Sequence, residues 1–214
     1  MHPCSLFLLY TKDVKNLYIV CGMKCELPEL EGDVIGVDRG AYYLSIKGIR
    51  MKAALGDFDS INKKERELID QYAEEIIAYN PIKDETDLEA AISYGKRNGY
   101  EKVIVYGALG GRQDHNYVNI RLLSLCGLEM ELRDEKHILK VYRKGQYEIK
   151  KKGFKYLSLF ALKDSRISIG GVYYPLDDVI LKTTDIYAIS NEILAEKADL
   201  IIADGEILVI QAND

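Results

Sequence analysis

The sequence predicts an α/β protein: a parallel-sheet N-terminal domain followed by a small antiparallel β-sandwich. Three observations carry this. Short β-type apolar runs alternate with helix-periodic segments between residues 18 and 126, the pattern of a parallel sheet built from crossover units. Polar and glycine-rich clusters fall where those runs end, which is where ligands bind in such sheets. From about residue 143 the helical periodicity stops, and short β runs follow one another between turn residues, as in an antiparallel sandwich. The change of pattern divides the chain into an α/β domain over 1–142 and a sandwich over 143–214.

Composition narrows the classes. Apolar residues make up 48% of the chain, enough for a substantial core, and the net charge is −5. That mild acidity argues against a general nucleic-acid binder, which carries a basic excess. No apolar run approaches a membrane span. The short apolar run at 6–10 has no basic residue before it and no small-residue cleavage pattern, so it is not read as a signal peptide. Cys4, Cys21, Cys25 and Cys126 show neither C-x-x-C spacing nor a paired histidine, and are expected to be reduced thiols of a cytoplasmic protein.

In order, the first β run is 18–21, ending at Gly22. Pro28 and Gly32 punctuate a loop before the second, 33–37. Asp38-Arg39-Gly40 follows it, then a short helix over 41–47 stopped by Gly48. The third run, 52–55, leads into Gly56-Asp57-Phe58-Asp59-Ser60. A charged helix with Leu68, Ile69, Tyr72 and Ala73 on one face comes next, with Ser60 available as its cap. The fourth run is 76–79, broken by Asn80-Pro81. Residues 83–87 open a helix whose apolar face is Leu88, Ala91, Ile92 and Gly95. The fifth run, 103–106, enters the glycine-rich stretch 107–116, and a helix is predicted over 117–126. Beyond Arg133 the β runs are 137–142, 156–161, 166–169, 172–174, 179–181, 200–203 and 207–210, with 150–153 as a solvated linker. Asp204-Gly205 between the last two predicts a hairpin turn.

Five clusters could carry chemistry. Gly107-Ala108-Leu109-Gly110-Gly111-Arg112-Gln113-Asp114 puts glycines, a guanidinium and a carboxylate at a strand-to-helix turn. Such a turn admits close backbone approach to an anion, and arginine adds a planar fork for phosphate oxygens. The plain alternative is a glycine turn with Asp114 as N-cap. Asp57 and Asp59 point the same way if the chain is extended there, and paired hard oxygens suit Mg²⁺. Thr86 and Glu89 match a capping box, and Asp84 or Asp87 could add a carboxylate while Lys83 offsets phosphate charge. Asp38-Arg39-Gly40 is either a turn or a point of backbone approach to a nucleotide. Ser190-Asn191-Glu192 reads as a turn. Asp114-His115 has no reactive serine or cysteine near it in sequence, so His115 is assigned a capping or orienting role.

Taken as an ordered set, these residues resemble the thiamine pyrophosphokinase family over residues 17 to the C-terminus. The resemblance implies an ATP-binding α/β domain, a thiamine-binding sandwich, a homodimer with composite active sites, and Mg²⁺-dependent transfer of pyrophosphate from ATP to thiamine. It implies metal-site carboxylates at Asp57, Asp59 and Asp87, with Asp84 as a further one. It places Arg112 and Asp114 at the triphosphate and the reacting hydroxyl, and Ser190 and Asn191 against thiamine. Asp38, Gly40, Lys83, Gly110 and Gly111 fall in the expected nucleotide site. The chain departs from the family pattern at Arg39, where a second glycine is common, and in having no tryptophan to stack on thiamine. Two rival readings are a phosphohydrolase with Asp57 as nucleophile and Asp59 as acid, and a non-catalytic nucleotide or thiamine sensor.

Overall fold

The computed structural model describes residues 15–80 and 85–214. Cys4, the run 6–10, Lys83 and Asp84 lie outside the described residues. Strands and helices alternate as β1 (Asn16–Val20), β2 (Asp33–Val37), α1 (Arg39–Ile46), β3 (Ala53–Gly56), α2 (Lys63–Tyr72), β4 (Ile76–Ala78), α3 (Asp87–Arg97), β5 (Lys102–Tyr106), α4 (Gln113–Leu125) and β6 (Glu129–Arg133). Four further strands follow: β7 (His137–Lys150), β8 (Tyr156–Gly170), β9 (Leu176–Leu181) and β10 (Lys197–Ala212).

All of these strands join one ten-stranded sheet, in the order β4-β3-β2-β1-β5-β6-β7-β10-β8-β9. The pairs from β4 to β6 are parallel, and those from β6 to β9 are antiparallel. Side chains alternate across the parallel strands. Leu17, Ile19, Ile35, Leu55, Val103 and Val105 pack beneath α3 and α4. Val20, Val34, Ala54, Ile104 and Tyr106 pack beneath α1 and α2. With both faces covered, the central strands are apolar after their first residue.

Three local expectations are corrected. The cap of α2 is Asn62, not Ser60: its side chain accepts from the Lys64 and Glu65 amides, and the Glu65 carboxylate accepts from the Asn62 amide. Strand β6 escaped notice because charges interrupt its apolar pattern. Its Glu131 is buried; burial pushes the carboxyl up, but Arg133, Lys140 and Lys102 around it hold it at about 2. Asp204-Gly205 makes no hairpin, because β10 runs through it, paired with β7 on one side and β8 on the other. The two residues form a bulge, with Gly205 at φ +103° and Ser165 Oγ 2.1 Å from where a Cβ would sit. A bulge changes which residues face inward. Leu200 and Ile202 before it, and Ile207 and Val209 after it, therefore share one core.

Likewise the runs 156–161 and 166–169 are two arms of β8, whose register shifts against β10 at the same level. Of 172–174, Val172 makes an isolated bridge to Ile193. Strand β7 runs without a break across 142/143. The antiparallel half thus continues the parallel sheet edge to edge through β6 and β7.

Candidate active site

A cleft of about 430 Å³ opens where β1, β2 and β5 end. Its walls come from the segments after those strands (Cys21 to Met23, Asp38 and Arg39, and Gly107, Ala108, Gly110 and Arg112), from the start of α3 at Thr86 and Asp87, and from His115 and Asn119 of α4.

Asp38 is the most constrained of these. It sits at φ 47° between β2 and α1, its amide donates to Leu55 O at 2.8 Å, and its Oδ1 accepts from the Phe58 amide at 3.3 Å. Its carboxyl is pushed up to about 7, first by burial and then by the neighbouring charge of Asp87. Asp87 is carried by the first turn of α3, which is fixed by the expected capping box: Glu89 N donates to Thr86 Oγ1 at 3.2 Å, and Thr86 N to Glu89 Oε2 at 2.8 Å.

Asp57 and Asp59 are not the same-side pair that an extended chain would give. Phe58 between them is buried at φ 55°, and Asp57 Oδ1 accepts the Asp59 amide at 3.0 Å. Neither lines the cleft, although the charge of Asp57 adds to the push on Asp38. Among the described residues, no cluster of three or more His, Cys, Asp or Glu is arranged to hold a metal.

The glycine-rich loop is anchored at both ends. Asn119 Nδ2 donates to Ala108 O at 2.8 Å, and the Gly110 amide donates to Asn116 Oδ1 at 3.4 Å. Gly110 and Arg112 line the cleft, and Gly111 lies against the Met23 thioether. Gly40 is buried against β1 instead, where a Cβ would fall 2.0 Å from Val20 O; its place is in helix–strand packing. Asp114 is not the N-cap of α4. Arg112 holds that position and makes no side-chain cap, while Asp114 lies in the first turn. The two exposed side chains pair at 2.5 Å. The hydrogen bond from Arg112, then that from the His115 amide, hold the Asp114 carboxyl down to about 2.

Ser190 and Asn191 lie in the antiparallel half and do not reach this cleft. Asn191 fastens a loop: its Oδ1 accepts from Tyr174 N at 3.0 Å and its Nδ2 donates to Tyr174 O at 2.8 Å. With Tyr174, Tyr187, Leu159 and Ile189 it lines a second cavity of about 310 Å³. Ser190 stands at φ 55°, its amide bonded to Ser158 Oγ at 3.0 Å. Tyr174 and Tyr187, both exposed, were not singled out by sequence reasoning; sixteen tyrosines beside no tryptophan were the available signal.

Fold and cleft define a class: an α/β protein whose parallel strands deliver carboxylates and a guanidinium to one edge, with an antiparallel apolar site in its second half. Comparison with known proteins narrows it. The profile of the thiamin pyrophosphokinase catalytic domain matches residues 30–132, and that of the thiamin pyrophosphokinase vitamin B1 binding domain matches 136–205. Thiamine pyrophosphokinase of Bacillus subtilis is 30% identical, over 94% of this chain and 100% of its own. A crystal structure of the Bacillus subtilis enzyme superposes with a TM-score of 0.85 at 27% identity, covering 94% of this chain and 100% of that one. A thiamin pyrophosphokinase family protein from Enterococcus faecalis gives 0.84 at 26%, with the same coverages. The chain belongs to the thiamin pyrophosphokinase family.

Proposed function

We infer that this chain is a thiamine pyrophosphokinase, moving an intact pyrophosphate from ATP to the hydroxyl of thiamine and releasing AMP. The carrying observation is that both family profiles match in succession along one chain. The hydrolase and sensor rivals are not favoured, because both profiles and the full-length relative are thiamine pyrophosphokinases.

The donor set fits Mg²⁺. This ion is commonly held by one or two carboxylates, with water and substrate phosphates completing its shell. Asp38 and Asp87 are crowded carboxylates in one cleft, a repulsion that a divalent cation relieves. Asp57 and Asp59 stand beyond them at the end of β3 as further acidic groups, and Asp84 and Lys83 keep their expected metal and phosphate roles. Mg²⁺ would supply charge neutralisation on the phosphates.

The chain's own groups do the rest. Transfer of this kind depends on positioning and electrostatics more than on covalent chemistry. The amides of the Gly110–Gly111 loop and the fork of Arg112 take phosphate oxygens. Arg112 cannot bind phosphate and hold Asp114 equally well. As it turns to the phosphate, the main cause of Asp114's depressed pKa is removed, and Asp114 Oδ2 becomes a better acceptor for the thiamine hydroxyl proton. Ser190, Asn191 and the tyrosine-lined cavity take thiamine, with Tyr174 or Tyr187 supplying the flat surface.

The catalytic unit in this reading is a cytoplasmic homodimer. The two cavities share no lining residue within one chain, and a two-fold axis brings the first half of one subunit to the second half of its partner. Purified protein incubated with ATP, Mg²⁺ and thiamine should yield AMP and thiamine diphosphate in equal amounts. Release of inorganic phosphate without AMP would refute the assignment.

A further inference from the structure

We propose that Arg39 is a positioning residue: together with Asp38 it clamps the loop that carries Asp57 and Asp59, and so sets where those two carboxylates stand. This rests on the reading of the chain as a Mg²⁺-dependent pyrophosphotransferase and deepens it. Asp38 and Arg39 are consecutive, at the junction of β2 and α1, and they grip the loop between β3 and α2 at two points. On the inner side, Asp38 Oδ1 accepts from the Phe58 amide at 3.3 Å. On the outer side, Arg39 Nη2 donates to Ser60 O at 2.9 Å. The other arm of the guanidinium, Nη1, lies 3.5 Å from Glu65 Oε1. Oε2 of the same carboxylate accepts the Asn62 amide in the capping box of α2. One side chain therefore ties together the start of α1, the acidic loop and the first turn of α2.

The loop needs such a tie. Phe58 stands at φ 55°, a conformation that a residue with a side chain keeps only where its surroundings impose it. Its burial, with the Arg66 guanidinium 4.5 Å from the ring centroid, and the bond to Asp38 fix the inner half. The outer half is different: Asp59 and Ser60 are exposed. There the Asp59 amide donates to Asp57 Oδ1 at 3.0 Å and Ile61 N to Phe58 O at 3.1 Å, both bonds internal to the loop. Arg39 joins that half to the body of the domain. Its two contacts diverge, one to a carbonyl and one to a carboxylate that is 15% exposed, and the planar fork of arginine reaches both at once. Mg²⁺ demands near-ideal octahedral geometry. Carboxylates that serve it must be held by neighbours that do not themselves touch the ion. Arg39 meets that description for Asp57 and Asp59.

Hydrogen exchange tests the clamp without any turnover. Arg39→Met keeps the stem and removes the guanidinium. In it the amides of Asp59 and Ile61 should exchange at least ~10-fold faster than in the parent, while those of β5 and α3 keep their parent rates. In AMP formation the KM for Mg²⁺ should rise at least ~10-fold, with kcat at saturating Mg²⁺ within about 2-fold of the parent, the pattern of a lost ground-state contribution to binding. Arg39→Lys can keep the bond to Ser60 O but not both contacts at once, so it should fall between parent and Arg39→Met in both measurements. Parent-like exchange of Asp59 and Ile61 in Arg39→Met overturns the proposal. Faster exchange with an unchanged KM for Mg²⁺ overturns it too, since Arg39 would then be a structural tie alone. Exchange that quickens equally in β5 and α3 has the same force, because it reports lost stability of the whole domain. A parent that makes no AMP from ATP and thiamine, while Arg39→Met still loosens Asp59 and Ile61, upholds the clamp and refutes the pyrophosphotransferase reading.

Discussion

Asp38 Oδ1 occupies the space that a side chain at Gly56 would need: a Cβ built there falls 1.7 Å from it. Gly56 itself sits at φ +150°. The last residue of β3 is thus a glycine so that the carboxylate following β2 can lie across it and meet the Phe58 amide. Gly56→Ala adds a backbone penalty to a clash with a constrained carboxylate. It should cost on the order of 2–4 kcal/mol of stability and displace Asp38. Denaturant unfolding reads the first effect, and loss of AMP formation in the fraction that remains folded reads the second.

The raised pKa of Asp38 sets the sign of a pH effect. An unfolded aspartate titrates near 3.8, while the folded carboxyl is pushed up to about 7. The folded state therefore holds its proton more tightly, so the stability from this group is complete below pH 3.8 and is lost as pH rises to about 7. Asp38→Asn keeps the shape and abolishes the titration. Melting temperatures between pH 4.5 and 8 should fall less in the variant than in the parent. Identical pH profiles would show that Asp38 is not crowded. Mg²⁺ added at pH 8 should raise the melting temperature of the parent more than that of the variant.

Arg112→Lys keeps the charge and loses the fork. The rate of AMP formation should fall at least ~10-fold, about 1.4 kcal/mol of barrier. In the variant the acid limb of the pH profile of kcat/KM for ATP, which reports the free enzyme, should also move. Lysine cannot reproduce the bidentate contact that depresses Asp114, so the carboxyl should titrate higher. A parent-like rate and profile together would reduce Arg112 to a surface residue of its loop.

What the sequence disclosed, and what it hid, follows from the range of the forces involved. The strands at Asp33–Val37 and Lys102–Tyr106 were legible because burial on both faces makes them apolar after their first, charged residue. The capping box at Thr86 was legible because both partners lie within one turn. Strand β6 was hidden because charges break its apolar run, and its buried Glu131 is neutralised by Arg133 of the same strand together with Lys140 and Lys102 of the strands on either side. Asp204-Gly205 misled because a bulge and a hairpin ask for the same residues; only pairing with β7 and β8, far apart in sequence, decides between them. At the site, the clusters were visible as motifs, but the meeting of Asp38 with Asp87 was not, since forty-nine positions and two strands separate them. The extended chain assumed for Asp57 and Asp59 is interrupted at one residue, the buried Phe58 at φ 55°.

The proposed dimer makes a prediction that a single chain cannot imitate. Asp87→Asn removes a carboxylate from the cleft of the first half. Asn191→Ala releases the Tyr174 loop in the second half. Each homodimer should be nearly inactive. Unfolded together in equal amounts and refolded, the two chains pair at random, and about half the dimers are mixed. If a site is built from the first half of one subunit and the second half of the other, one site of each mixed dimer collects both lesions and the other collects none. Activity should then return to roughly a quarter of the parent level. If each site lies within one chain, every site keeps a lesion, and mixing restores nothing. Mass labelling of one chain confirms that subunits have exchanged; with exchange confirmed, absent recovery rules out the trans site.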